Sequence, residues 1–315
     1  MNEILSVAHL SVEATHNDHR KKIVRDISFS IQRGEIFSIV GESGSGKTTL
    51  ACALTKLFSF STMYVQGNVI FSGEDIALLA NEKLRSLLRS EIRYLFQEPG
   101  QSLNPIARIS EQIQHAFLQS SNAKEKFISL LSSLGLSNHR ALLTMYPHQL
   151  SIGTLQRILL AMALAPQPKL LIADEPTSAV DSALKFQMME LLRTISAEEG
   201  MSVLFITHDL ALAKRYADRI AVLYDGHIIE MNTSAEYFSA PAHPYSQLVL
   251  EYYQSAGKSI ESFSTLNDSM HAQQTSEIGC PFYTRCVKAM PECAVREPFL
   301  QQISTSGYVR CPYWK

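Results

Sequence analysis

Eight consecutive residues, Gly41-Glu42-Ser43-Gly44-Ser45-Gly46-Lys47-Thr48, satisfy the spacing G-x-x-x-x-G-K-[ST] at every required position. Residue types at this spacing bind the phosphates of a nucleotide. The three glycines let the backbone turn tightly and aim its N–H groups inward, where they and the positive end of a following helix meet phosphate oxygens. Lys47 adds a mobile cation for the β and γ phosphates, and Thr48 supplies a hydroxyl for Mg²⁺. A second constellation, Asp174-Glu175, ends the apolar run 170–173. Two carboxylates at the end of a buried strand are costly unless cationic charge sits beside them. Asp174 is therefore assigned to Mg²⁺, directly or through water, and Glu175 to orienting or deprotonating the attacking water.

The elements that must hold these residues are legible from periodicity and breakers. Residues 36–40 form an apolar, β-branched run before the loop, and residues 48–58 follow it with helical character and neither Gly nor Pro. The loop thus joins a strand to a helix N-terminus. Upstream, residues 4–12 and 24–31 are strand candidates separated by a polar loop at 16–22, and Arg33-Gly34-Glu35 is a turn. Downstream come a strand at 65–71, a helix at 74–90, and a strand at 92–96 that ends in Gln97-Glu98-Pro99. Residues 108–165 are helical, with periodic apolar residues in 109–118 and 123–134, and they form an inserted subdomain closed by Pro166 and Pro168. A helix at 183–198 and strands at 203–207 and 220–224 follow, the last turning at Asp225-Gly226 into 227–230. Strand and helix in alternation predict a mostly parallel sheet covered by helices. The division expected is a first domain over 1–254 with its helical subdomain at about 98–165, a Ser-, Thr-, Gln- and Asn-rich linker over 255–278, and a cysteine-rich region over 279–315.

Composition narrows the function classes. With 315 residues and 46% apolar content the chain can bury a large core. A formal charge of -2 gives no electrostatic case for nucleic acid as partner. The longest apolar run, residues 158–165, falls far short of the ~20 residues that cross a bilayer. Met1-Asn2-Glu3-Ile4-Leu5 lacks the basic start and cleavage site of a signal peptide, so a cytoplasmic location is expected.

Further short motifs carry a resemblance. Gln97 after the 92–96 strand looks like a Q-loop glutamine, Leu150-Ser151-Ile152-Gly153-Thr154-Leu155-Gln156-Arg157 is similar to the signature LSGGQxQR, Ser178-Ala179-Val180-Asp181 looks like a D-loop, and Thr207-His208-Asp209 like a switch-histidine region. In this order and spacing they resemble the ATP-binding subunits of ABC transporters. Phe96-Gln97-Glu98-Pro99, Ser102-Leu103-Asn104-Pro105, His243-Pro244-Tyr245 and Gly279-Cys280-Pro281-Phe282 are similar to the oligopeptide, dipeptide and nickel importer subfamily. The resemblance implies an α/β fold: a phosphate-loop NTPase (RecA-like) core with an antiparallel β layer, an inserted helical subdomain and a small cysteine-rich C-terminal extension. It implies that Gly41, Ser43, Gly44, Ser45, Gly46, Lys47, Thr48 and Thr49 bind ATP, that Thr48, Gln97 and Asp174 hold Mg²⁺, and that Glu175, His208 and Lys47 are catalytic. It further implies that Ser151 and Gly153 cover the ATP of a second, different ATPase subunit. The expected assembly adds two transmembrane permease subunits, which this chain joins peripherally at the cytoplasmic face of the inner membrane, and an extracytoplasmic solute-binding protein acting through them. Peptide is the favoured cargo, with nickel or another small solute as alternative. A soluble ABC-type ATPase for DNA repair or translation, and a module that closes on ATP without turnover, are the competing classes. The first commonly has coiled-coil inserts or two cassettes, absent here, and the second is opposed by Lys47, Asp174, Glu175 and His208.

The chain departs from the family pattern in two places. Ile152 stands at the first signature glycine and Thr154 at the usual glutamine, and no aromatic lies between Val12 and Asp26 to stack on adenine, where only His16 and His19 could substitute. Four of the five cysteines, Cys280, Cys286, Cys293 and Cys311, crowd the last 36 residues, and Cys52 stands alone. Cytoplasmic location argues against disulfides, and the spacing lacks the C-x2-C knuckle of common zinc sites. Four thiolates suit an iron–sulfur cluster, as the subfamily resemblance also implies, and free packed cysteines are the alternative.

Overall fold

The structure is a computed structural model, and it describes residues 2–16, 19–58, 63–117, 121–178, 180–256, 260 and 278–314. The chain forms two compact units, one built from residues 1–4, 31–36 and 78–205 and the other from residues 5–30, 37–77 and 206–315.

The second of these units carries the phosphate loop. Its loop strand, Ile36–Val40, is buried along its whole length and pairs in parallel with Arg219–Tyr224, Phe37 opposite Arg219 and Val40 opposite Val222. A strand buried on both faces reads as a continuous apolar run, which is why 36–40 shows no alternation. Arg219–Tyr224 turns at Asp225-Gly226 into His227–Thr233, antiparallel to it, and His227–Thr233 then pairs antiparallel with Tyr308–Val309 and that strand with Gln301–Gln302. The sheet is therefore mixed, and the cysteine-rich tail extends it by two short strands. Two-residue strands carry too little alternation to be read from sequence. Three short helices of this unit, Leu210–Tyr216, Ser234–Ser239 and Pro244–Ala256, are likewise additions to the sequence reading. The first two begin at side-chain caps, Asp209 accepting from Ala211 N and Leu212 N and Thr233 from Glu236 N.

An antiparallel layer, with strand order His19–Gln32, Glu3–His16, Met63–Phe71, Glu74–Asp75, completes this unit. The first two strands run further than expected, to His16 and from His19, so the polar stretch 16–22 is mostly strand. Cross-strand pairing overrides its polar composition. The ladder between Glu3–His16 and Met63–Phe71 shifts register between Ala8 and Ser11. At that bulge His9 has φ 52° and Gly67 φ 101°. A Cβ at Gly67 would lie 2.4 Å from the His9 carbonyl oxygen, so only glycine fits there.

In the other unit Ile92–Leu95 and Leu170–Asp174 are parallel neighbours, Ile92 opposite Leu170 and Leu95 opposite Ala173, with Ser202–Thr207 next in order. The inserted segment folds as Ile109–Ala116, Ser121–Ser133, His139–Thr144 and Ile152–Leu164. Ser121–Ser133 packs on Ile152–Leu164, and Phe127, Leu131, Leu134, Ile158 and Leu160 are buried. The single helix expected over 74–90 is instead the strand Glu74–Asp75, a turn at Ile76–Leu78 and the helix Asn81–Ser90. Asp75 Oδ1 accepts from Ala77 N at 2.8 Å, a local bond that competes with helix formation. Of the expected linker, residues 257–259 and 261–277 lie outside the described residues. Among the described residues no helix is long and apolar enough to cross a membrane.

Candidate active site

The phosphate loop turns between Ile36–Val40 and the helix Lys47–Thr55 as the spacing requires. Gly46, the residue before the helix, has φ 102°, and no side chain caps the first turn. The open N–H groups of that turn are left to a ligand. Gly41 is needed for closeness: a Cβ there would lie 2.3 Å from the Leu223 carbonyl oxygen and 2.9 Å from Ser45 Oγ. Ser45 is buried, and its hydroxyl has no hydrogen-bond partner among the described residues. A buried hydroxyl without a partner in a glycine cradle is what a phosphate oxygen would satisfy, so the residues present fit a nucleotide. Lys47 is also buried, and its Nζ donates to the Gly41 and Glu42 carbonyl oxygens at 2.9 and 2.8 Å. The cation is thereby held over the loop. Ser43, Gly44 and Thr48 are exposed and Thr49 half-buried.

His208 belongs to the same unit, between the end of Ser202–Thr207 and the start of Leu210–Tyr216. Asp209 caps that helix and donates its own N–H to Thr207 Oγ1 at 3.0 Å, which fixes the backbone on either side of His208. The side chains of His16 and His19, the only candidates to replace the family's adenine-stacking aromatic, lie outside the described residues.

The acidic pair lies in the other unit. Asp174 closes its strand and is 1% exposed, and Glu175 follows at 8% with φ 48°. A left-handed backbone at a residue with a side chain costs about 1–3 kcal/mol. Parallel pairing of Ile92–Leu95 with Leu170–Asp174 places both strands' carboxyl ends together, the edge where open α/β sheets bind ligands. There Gln97 Nε2 donates to Glu175 Oε2 at 3.0 Å, and the Tyr94 hydroxyl donates to Asp174 Oδ2 at 3.1 Å. Glu175 Oε2 is thus oriented by Gln97. Tyr94 is a site contact that the sequence reading missed, since nothing about a tyrosine in a short strand distinguishes it.

Ser151 caps the helix Ile152–Leu164, its Oγ accepting from Thr154 N at 3.2 Å. Ile152 occupies the first helical position, is 57% exposed, and its φ is not positive. The chain's own backbone therefore accommodates isoleucine there. Arg157 Nε donates to the Gly153 carbonyl at 3.1 Å and Nη1 to the Leu134 carbonyl at 3.2 Å, which ties the signature turn to the end of Ser121–Ser133. Asp181 caps Ser182–Glu199 through Leu184 N at 3.0 Å, and Ala179 lies outside the described residues.

Cys280, Cys286, Cys293 and Cys311 line one cavity of about 150 Å³ together with Phe282, Tyr283, Phe299 and Tyr313. All four are free thiols, and Cys52 is a fifth, half-buried in the loop helix. Burial pushes the Cys280 thiol up to about 11 and raises Cys286 and Cys311 as well. Among the described residues no three His, Cys, Asp or Glu side chains are grouped to hold a metal ion. As placed, these side chains do not fit the expected iron–sulfur cluster, whose four ligands must converge on iron.

Comparison with known proteins agrees with these motifs. The profile described as ABC transporter matches residues 24–178, and that described as oligopeptide/dipeptide transporter, C-terminal region, matches residues 229–293. The dipeptide transport ATP-binding protein DppD of Escherichia coli (strain K12) is 35% identical over 98% of this chain and 96% of its own length. DppD of Bacillus subtilis (strain 168) is 34% identical over 99% and 95%, and a putative peptide import ATP-binding protein of Brucella abortus (strain 2308) is 35% identical over 98% and 94%. Among solved structures, the dimeric bacterial ABC transporter cassette MJ0796 matches with a TM-score of 0.66 and 26% identity, over 73% of this chain and 98% of that one. The chain has the ABC cassette fold, and it belongs to the ATP-binding, ATP-hydrolysing subunits of ABC transporters.

Proposed function

We propose that this chain powers a membrane importer of dipeptides or oligopeptides, working at the cytoplasmic face of the cell membrane beneath two permease subunits. The observation that carries the reading is similarity to peptide-import ATPases through the whole chain, including the C-terminal region over 229–293. The division proposed is a nucleotide-binding domain over 1–254, a linker over 255–278 and a cysteine-rich region over 279–315. A second, different ATP-binding subunit completes the ATP sites, and an extracytoplasmic binding protein delivers cargo to the permeases.

In the proposed cycle the loop N–H groups and Lys47 bind the β and γ phosphates of ATP, with Gly41, Ser43, Gly44, Ser45, Gly46, Thr48 and Thr49 shaping the cradle. Thr48, Asp174 and Gln97 would hold Mg²⁺, which neutralises charge on the phosphate oxygens. Glu175, oriented by Gln97, takes the proton from the attacking water, and His208 donates toward the γ phosphate. Ser151 and Gly153 cover the partner's ATP, so hydrolysis resets a clamp of two subunits and passes motion to the permeases. Purification of the tagged chain from detergent-solubilised membranes tests the assembly. Two multi-spanning subunits and a second cassette should copurify, and recovery of the chain without any membrane subunit would refute it.

The exposed Ile152 leads to a prediction about that clamp. A branched side chain at the signature turn stands between the helix N-terminus and a partner's nucleotide. In a complex already carrying Glu175→Gln, where the small residual ATP hydrolysis comes from the partner's site that Ile152 covers, adding Ile152→Gly should raise that residual rate by roughly 3- to 10-fold, about 0.7–1.4 kcal/mol. An unchanged or lower rate in the same phosphate-release assay would show that isoleucine is accommodated between the subunits.

A further inference from the structure

The cysteine-rich tail reaches the phosphate loop through one side chain. Arg285 Nη1 and Nη2 donate to Glu42 Oε2 and Oε1 at 3.2 and 3.1 Å, and Nη1 also donates to the Tyr224 hydroxyl at 3.2 Å. The Tyr245 hydroxyl donates to the same Glu42 Oε1 at 3.1 Å. Both members of the ion pair are only 14% exposed at their side chains, and a two-point arginine–carboxylate pair in that setting is directional as well as strong. The guanidinium also lies over the rings of Tyr224 and Phe282, 5.6 and 5.9 Å from their centroids. Glu42 is the second residue of the loop, and its main-chain carbonyl accepts from Lys47 Nζ at 2.8 Å. One residue is therefore gripped at its side chain by the tail and at its backbone by the loop lysine.

Anchoring the tail does not need this pair. Phe282 is buried against Tyr224 and Tyr245, and Tyr308–Val309 is hydrogen-bonded into the sheet. A buried ion pair contributes little net stability in any case. Its consequence is electrostatic and geometric: without the guanidinium, a mostly buried carboxylate would belong to the loop that must receive a polyanion. We propose that Arg285 is a positioning residue for the phosphate loop, neutralising and fixing Glu42 so that nucleotide affinity depends on the C-terminal region. The proposal rests on the loop's reading as an ATP site, and binding by the unsubstituted chain tests that reading separately.

The experiment is equilibrium titration of the full-length chain with a fluorescent ATP analogue and Mg²⁺. Arg285→Gln should raise the Kd about 10-fold, within the 5- to 150-fold span of ordinary coupling, while circular dichroism shows the fold retained. Adding Glu42→Gln to Arg285→Gln should recover most of that loss, because the carboxylate that needed neutralising is gone. A tail that merely stabilises the fold would lower the melting temperature and leave the Kd within twofold, and that result overturns the proposal, as does a double variant no tighter than Arg285→Gln. In the unsubstituted chain, where folding is not in question, reciprocity requires bound MgATP to slow alkylation of Cys286, the neighbour of Arg285, by severalfold. Equal rates with and without nucleotide would also overturn it.

Discussion

Glu175→Gln should lower ATP turnover of the assembled complex by roughly 10²- to 10⁴-fold, the range for a lost general base, while ATP still binds. Glutamine has nearly the shape of glutamate, so it can keep the bond from Gln97 Nε2, now 3.0 Å from Oε2. What it cannot do is take a proton. The carboxylate is held in a left-handed backbone at φ 48° and only 8% exposed, and both the strain and the desolvation have a cost. At 25 °C the expected loss corresponds to about 2.7–5.5 kcal/mol of barrier. Phosphate release by the complex, read beside nucleotide binding, separates the two steps. Turnover at the parental rate would mean that another group receives the proton.

Lys47→Ala should abolish measurable nucleotide binding, raising the Kd by at least ~100-fold, as removal of two or more charge-assisted bonds implies. The ammonium sits buried over the loop on two carbonyl oxygens. Alanine removes both of those bonds and the cation that faces the phosphates. The measurement is the same fluorescent-analogue titration, with circular dichroism as control. A Kd within threefold of the parental value would show that the loop N–H groups suffice without the lysine. The two substitutions thus separate binding from chemistry: one keeps ATP and loses turnover, the other loses ATP.

What the sequence reveals follows from how far apart the interacting residues lie. The phosphate loop is legible because its parts are adjacent, so spacing alone carries strand, turn and helix N-terminus together. Gln97 and Glu175 are 78 residues apart, and only the parallel register of Ile92–Leu95 with Leu170–Asp174 brings them within a hydrogen bond. Glu42 and Arg285 are 243 residues apart. Glu42 occupies a position where the loop pattern accepts any residue, so neither it nor Arg285 carries a local signal. The helix boundary at 74–90 was obscured by Asp75, whose side chain bonds Ala77 N. Polar residues hide the full length of the first two strands, because neighbouring strands in the sheet rather than composition decide how far each runs. The cysteine cluster shows the converse. Spacing shows four thiols, but only the placement of their side chains shows whether three or more are grouped to hold a metal ion.

The most direct test of the proposed function is uptake of a labelled dipeptide by cells that lack other peptide importers and express either the parental chain or Glu175→Gln beside its partner subunits. ATP-dependent accumulation is expected with the parental chain, and loss of at least about 99% of the initial rate with Glu175→Gln, following the turnover lost. Equal accumulation in both strains, or no peptide uptake with the parental chain while another solute is taken up, would contradict it.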